Sequence, residues 1–186
     1  MQMSRHRSSP GVHGTIVQVS VKPAVPGQRG LPKRPIEEGR ITVHGLEGDF
    51  NIYRAEKLQG DPDSAVLVIP EETLLELRAE GWPVDRADLG ENLTIRGIPP
   101  SHLASGQRFR TGTAVLRLTR RCDPCTNLYV LPYVGASRGP EFLKVMLGRR
   151  GWYAAVEAEG RVRAGDRFEE APSPGASARM AARDTR

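Results

Sequence analysis

Only two cysteines, Cys122 and Cys125, occur among 186 residues, too few to build a disulfide scaffold. Aromatic residues are scarce too: four Phe, four Tyr and two Trp offer no interleaved platform for stacking bases. No uninterrupted apolar run approaches the ~20 residues that a membrane-spanning helix needs. The opening Met1-Gln2-Met3-Ser4-Arg5-His6-Arg7-Ser8-Ser9-Pro10 has no apolar stretch behind its positive charges, so no secretory signal is expected. These absences leave a soluble, cytoplasmic protein without membrane attachment as the expectation. The 20 Gly and 15 Pro stay below the level that marks a disordered or collagen-like chain. The length suits one domain better than two, and there is no internal repeat.

The formal net charge is +5, which by itself suggests a polyanion. Most of the excess lies at the ends, however. Arg5 and Arg7 sit near the start, and Arg179, Arg183 and Arg186 outweigh Asp184 at the finish. Residues 9–170 are close to neutral, so a broad phosphate-binding face is not supported, and nucleic acid is not an expected partner. Residues 171–186 are small, polar and Pro-rich at their start, without apolar periodicity, and read as a disordered tail. Residues 1–12 read the same way, which leaves one domain over 13–170.

Within that domain the pattern is mainly of strands. Ile16 to Val21 alternates, which predicts Val17, Val19 and Val21 on one face and Gln18 and Ser20 on the other. Ala65 to Ile69 is apolar on both faces and reads as a fully buried strand. Asn92 to Arg96 and Ala114 to Thr119 alternate again, the latter with Leu116 and Leu118 inward. Trp152 to Val156 and Val162 to Phe168 are weaker candidates. Gly-Asp and Gly-Gln pairs punctuate the runs as turns. Two helices interrupt them: 70–81, with Pro and acids first, Leu74 and Leu77 on one face and Gly at the stop, and 139–147, with Phe142, Leu143, Met146 and Leu147 at helical spacing. Short strands without regular strand–helix alternation predict a mainly β fold, a β-barrel with a few inserted α-helices.

The stretch richest in chemistry is Leu118-Thr119-Arg120-Arg121-Cys122-Asp123-Pro124-Cys125-Thr126-Asn127-Leu128, directly after a strong strand. A thiol works as nucleophile or metal ligand in its thiolate form, which neighbouring cations favour, and Arg120 and Arg121 are such cations. The plainer alternative, two small buried hydrophobes, suits a polar, Arg-flanked, Pro-containing strand end poorly. Structural zinc takes four ligands, and a single Cys-x-x-Cys supplies two, with no close His-His pair among His6, His13, His44 and His102. A thioredoxin-like dithiol needs a helix behind its first cysteine. The run Thr126 to Pro132 is rich in β-formers, so no helix is expected there. The third option is one thiolate that holds a soft metal or carries a transferable sulfur, with cations binding an anionic cofactor.

Gly45-Leu46-Glu47-Gly48-Asp49, then Gly90-Glu91-Asn92-Leu93-Thr94, then Pro124-Cys125-Thr126-Asn127-Leu128, then Gly148-Arg149-Arg150-Gly151-Trp152-Tyr153, and finally Gly165-Asp166 together resemble the MOSC domain, named after the C-terminal part of molybdenum cofactor sulfurase. The resemblance runs from about Thr15 to Phe168. It implies a β-barrel in which Cys125 ligates molybdenum of the molybdenum cofactor (molybdopterin) or bears a persulfide. Stand-alone relatives reduce N-hydroxylated compounds with that cofactor, whereas sulfurases pair the domain with a pyridoxal-phosphate desulfurase, for which this chain has no room. No pyridoxal phosphate is expected.

The resemblance gives Lys33, Arg149 and Arg150 as candidate partners of the cofactor phosphate, Asn92 as a hydrogen-bonding partner of the pterin edge, and Thr126 and Asn127 as cofactor-binding neighbours of the cysteine. Cys122 is an additional thiol able to act as a resolving partner for Cys125. Trp152 and Tyr153 read as core. Asp49 is followed here by Phe50-Asn51 where many relatives carry a basic residue, with Arg54 or Lys57 as substitutes in the anion pocket. The expected function is a molybdenum-dependent reductase of N-hydroxylated small molecules served by an external electron donor. The alternatives are a persulfide sulfur carrier with a sulfur-transfer partner, and a Cys-x-x-Cys thiol–disulfide protein.

Overall fold

The computed structural model describes residues 12–28, 30–51, 54–55 and 57–172. The two expected tails lie outside them, except for Val12, Ala171 and Pro172.

Eleven strands are formed among the described residues: β1 (His13–Val21), β2 (Arg34–Ile36), β3 (Glu38–Thr42), β4 (Gly45–Leu46), β5 (Val66–Pro70), β6 (Leu93–Arg96), β7 (Arg108–Thr111), β8 (Ala114–Arg121), β9 (Trp152–Ala158), β10 (Gly160–Arg163) and β11 (Arg167–Ala171). The main sheet runs β11-β7-β8-β9-β5-β6-β1-β2, and β11 also pairs with β1. That last pairing closes seven strands into a barrel, with β2 as a flap on the far half of β1. β3, β4 and β10 form a separate small sheet. All pairings in the barrel are antiparallel except β5 with β6. A parallel pair needs a crossover, and helix α1 (Glu71–Ala79) lies on it.

The barrel interior is filled by alternate residues of its strands, among them Ile16, Val19, Leu93, Ile95, Phe109, Leu116, Leu118 and Phe168, all without solvent exposure. The Phe109 and Phe168 rings stack at 4.5 Å. β5 is buried along its whole length, as its sequence predicts. The alternation expected of β1 holds only in part. Its pairing with β6 skips a residue between Ile16 and Gln18, and such a bulge flips the inward set. Ile16, Val19 and Val21 therefore enter the core, while Val17 is half-buried and Ser20 is fully covered. Val162 to Phe168 likewise resolves into two strands joined at a turn containing Gly165 and Asp166.

Leu74 and Leu77 of α1 are fully buried as predicted, and Gly81, with φ +90°, follows the helix end. The second helix, α2 (Gly135–Val145), begins four residues before the expected 139. Pro140 invites reading a helix start, because the residue before a proline normally avoids helical backbone. Here that residue is Gly139, which has no Cβ to clash, and the helix runs straight through. A Cβ at Gly139 would also lie 2.3 Å from the Tyr129 ring. Leu147 falls beyond the helix and is 66% exposed. α1, α2 and the segment between Trp82 and Leu89 pack a second apolar cluster that also takes in Cys122, Leu67 and Tyr153.

Candidate active site

Leu67 of β5 and Tyr153 of β9 are paired in register. Their chain neighbours Val66, Val68, Trp152 and Ala154 face the barrel interior, so both side chains lie on the barrel's outer wall. A cleft opens against this wall, bordered by Gly30, Leu31 and Lys33, by Gly90, by Arg120 to Cys125 apart from Cys122, and by Asn127, Arg150 and Asn51. Its volume is about 150 Å³, and it opens to solvent.

Cys125 reaches this cleft because β8 ends at Arg121 and the chain turns through Asp123-Pro124. Cys122 donates its backbone N–H to the Gly151 carbonyl at 3.0 Å and sends its side chain into the second apolar cluster, 1% exposed. Burial pushes its thiol pKa up, a rise opposed by Arg150 and by a hydrogen bond with Tyr153. Cys125, three residues on, is extended (φ −142°, ψ 168°) and only partly buried. Contrary to expectation a helical turn does follow, a 3-10 segment over Thr126–Val130, in which the Leu128 N–H bonds the Cys125 carbonyl at 3.0 Å. It follows the second cysteine, not the first, so the dithiol pattern is still unmet.

Arg150 is the centre of the arrangement. Its guanidinium is buried, yet every face has a partner. Nη1 lies 3.3 Å from the Cys125 sulfur and 3.0 Å from the Asp123 carbonyl, and Nε and Nη2 each lie 3.3 Å from the Leu89 carbonyl. Gly151 makes this entry possible: its φ is +80°, and a Cβ there would lie 2.3 Å from the Val68 carbonyl. A fixed fork of donors thus brings positive charge against one sulfur.

Arg120 and Arg121 both border the cleft, although strand alternation alone would send them to opposite faces. The β8–β9 pairing shifts register between Leu118 and Arg121, and both side chains reach this side, where Arg120 is held by Ser64 at 2.8 Å and Asp61 at 3.4 Å and Arg121 by the Gly148 carbonyl. Arg120 lies over the Tyr153 ring and Arg121 over the Trp152 ring, at 5.0 and 4.9 Å. Together with Lys33 and Arg150 they set four cations against one carboxylate, Asp123, in the cleft lining.

The other residues named from sequence divide. Lys33 and Asn127 line the cleft. The Lys33 side chain is 2% exposed, and its ammonium meets Asp49 at 2.5 Å. Asn92 does not reach the cleft, which corrects its assignment to the pterin edge: its amide is consumed by the protein. It donates to Asp49 at 2.9 Å and to the Ser20 carbonyl at 3.3 Å, and accepts from the Leu67 N–H at 3.1 Å. Arg149 is corrected likewise. It turns away to ion-pair with Glu76 on α1 at 3.4 Å and with Glu80, just past the helix end, at 2.8 Å, two acids that a chain of residues cannot reveal as its neighbours. Thr126 is exposed and outside the lining. Arg54 does not replace the missing basic residue of the cleft, because it binds the carbonyls of His44, Gly60 and Asp61 and staples two loops. Tyr153, read as core, is 6% exposed and still forms part of the cleft wall.

Two carboxylates take part: Glu91, whose place in its motif suits orienting a cation rather than touching an anionic cofactor, and Asp49, which the sequence did not single out. Asp49 holds Lys33, and Glu91 is fully buried behind the cleft, with Oε1 taking the Ala87 N–H at 2.7 Å and the Thr94 hydroxyl at 3.2 Å. Its Oε2 has no partner among the described residues, and burial raises its pKa. The Gly-Asp motif carried Asp49, but only as a motif letter.

A closed barrel with one thiol and several cations on a cleft in its outer wall defines a protein that can offer a single sulfur ligand to a bound anionic group. The family model described as "MOSC domain" matches residues 55–169, and the chain belongs to that family. Protein YiiM of Escherichia coli is 33% identical over 130 residues, 67% of this chain and 55% of the relative. The uncharacterized protein YflK of Bacillus subtilis is 31% identical over 150 residues, 76% of this chain and 63% of the relative. The chain therefore spans between 55% and 63% of the length of these curated relatives. Among solved structures, YuaD from Bacillus subtilis shares the fold with a TM-score of 0.71 at 19% identity, covering 87% of this chain and 97% of that one. YiiM from Escherichia coli gives a TM-score of 0.60 at 26% identity, covering 86% and 70%. Among the described residues no helix is long and apolar enough to cross a membrane.

Proposed function

We propose that the cleft binds the molybdenum cofactor, with Cys125 as a thiolate ligand of the molybdenum, and that the protein reduces N-hydroxylated small molecules with electrons from an external donor. The single observation that carries this reading is the Cys125 sulfur, facing a cation-lined cleft with Arg150 Nη1 3.3 Å away.

The residues present suit that group. Among the described residues there is no cluster of three or more His, Cys, Asp or Glu able to hold a metal ion, so a metal here has to arrive with its own chelate. A dithiolene pterin brings such a chelate and leaves one position for a soft protein ligand, which a thiolate fills. Its phosphate suits the more exposed guanidiniums of Arg120 and Arg121, while Arg150, whose donors are engaged by Leu89, Asp123 and Cys125, adds fixed positive charge. Lys33, already compensated by Asp49, is the weaker phosphate partner. When bound, the cofactor supplies a centre for oxygen-atom removal coupled to two-electron transfer. The chain's share is to hold the sulfur, to fix the phosphate, and to leave an open mouth for substrate.

The test is to purify the protein without oxygen from cells rich in the cofactor, extract bound pterin for fluorescence, and assay reduction of an N-hydroxylated base with a chemical reductant. Pterin and molybdenum recovered together, with turnover, are expected. Protein devoid of both under those conditions overturns the reading. The persulfide reading is favoured by the same partly buried sulfur and by the lack of a second metal-ligand side chain clustered with it among the described residues. It predicts instead a labile extra sulfur on Cys125 in the mass spectrum, lost on treatment with reductant.

A further inference from the structure

Reduction of a hydroxylamine-type N–O bond takes up two electrons and two protons. The N–O bond breaks, nitrogen keeps the bonding pair and takes up one proton, and the hydroxyl oxygen takes up the other and leaves as water. The electrons come from a reduced flavin or iron–sulfur electron-transfer protein, but at least one proton has to reach the oxygen as it departs. Resting on the reading of the cleft given above, we propose that Lys33 is the catalytic acid that delivers this proton and that Asp49 is its positioning residue.

Lys33 is the cleft-lining cation best placed for such work. The three arginines there hold their protons at any accessible pH and serve as fixed charges. Lysine exchanges its proton, and burial makes it readier to do so. The Lys33 side chain is 2% exposed, yet the residue lines the same cleft as Cys125. An ammonium carries three donors, and the described contacts fill one of them, on Asp49 Oδ2 at 2.5 Å. Among the described residues Asp49 is the only recorded partner of the ammonium, which leaves donors for an oxygen in the cleft.

Asp49 is itself held rigidly. Its Oδ1 accepts the Lys22 N–H at 2.8 Å, and its Oδ2 accepts Asn92 Nδ2 at 2.9 Å as well as the ammonium. The backbone N–H of Lys33 is fixed in turn on the Ala87 carbonyl at 3.0 Å. The charged groups facing Lys33 are Asp49, Glu91 and Arg150. Burial lowers the Lys33 pKa, with Arg150 acting in the same direction, while Asp49 and Glu91 raise it. Lys33 therefore gives up its proton more readily than a lysine in water. After transfer, the neutral amine is recharged by solvent through the open mouth.

The experiment uses the full chain as wild type, Lys33→Met, Lys33→Arg and Asp49→Asn. Molybdenum content, rate against pH and the Lys33 Nζ NMR titration are measured on each. Lys33→Met is expected to keep its molybdenum and lose about 10²-fold in rate, the usual contribution of a positioned acid. Lys33→Arg, which keeps charge but not an exchangeable proton, is expected to be as slow. Asp49→Asn removes a group that holds the ammonium charged, so the Lys33 titration and the alkaline limb of the rate profile should move together to lower pH. A Lys33→Met protein that keeps both metal and wild-type rate overturns the inference and leaves the reading of the cleft standing. So does an alkaline limb that stays put while the Nζ titration shifts. Wild-type protein without molybdenum or turnover overturns both.

Discussion

The barrel interior and the wall behind the cleft are built on opposite rules. The interior is closed with aliphatic and phenyl side chains, and its strands could exchange one hydrophobe for another of similar volume. Behind the cleft, Ser20, Lys33, Glu91, Asn92, Thr94 and Arg150 are all buried, and most of their polar atoms are spoken for by a partner on another element. Burying charge is costly unless it is paired, so this wall is maintained at a cost in stability that the barrel supplies. The difference teaches where substitutions should damage folding and where they should damage chemistry.

The largest stability effect is expected in the barrel. Phe109→Ala removes one of two stacked rings and should cost about 3–5 kcal/mol by chemical denaturation, with cofactor content unchanged in whatever fraction remains folded. Arg150→Ala should cost less, about 1–3 kcal/mol for the Leu89 and Asp123 carbonyls it leaves unsatisfied, yet remove nearly all bound pterin. If the arginine variant proves the less stable of the two and still binds pterin, the division of labour between the regions is broken.

A smaller effect separates them by pH. The buried Glu91 carboxyl has its pKa raised by burial, so its neutral form is the one the fold favours. Its stabilising share is complete below the ordinary carboxylate range and is lost as pH rises through the raised folded value. Wild type should therefore lose stability relative to Glu91→Gln across that window, measured by denaturation at a series of pH values. A difference that stays constant with pH contradicts this account. Smallest of all, Arg149→Ala should cost under about 1 kcal/mol, as exposed ion pairs do, and leave cofactor content unchanged. A matching loss of pterin would return Arg149 to the site.

The same contrast explains what could be read from the residues alone. The barrel strands announce themselves through alternation: Leu116 and Leu118 were inward as expected, and β5 was buried on both faces. Alternation misled at the bulge after Ile16, because an inserted residue leaves no mark in composition. At the cleft, Cys125 stood out from its Arg-flanked, Pro-containing setting. The two arginines at 149 and 150 were indistinguishable in sequence, since the partners that part them, Glu80 on one side and Leu89 on the other, lie at least 60 residues away. Asn92 and Asp49 were likewise legible as motif members but not as the brace behind Lys33, for that contact joins three separate loops.

The central claim is that Cys125 is the protein's ligand to a bound molybdenum. Metal analysis of wild type and Cys125→Ser, prepared side by side from cofactor-rich cells and compared at equal folded protein, addresses it directly. The account predicts molybdenum stoichiometric with the wild-type chain and essentially none with the variant; equal metal in both, or none in wild type, would contradict it.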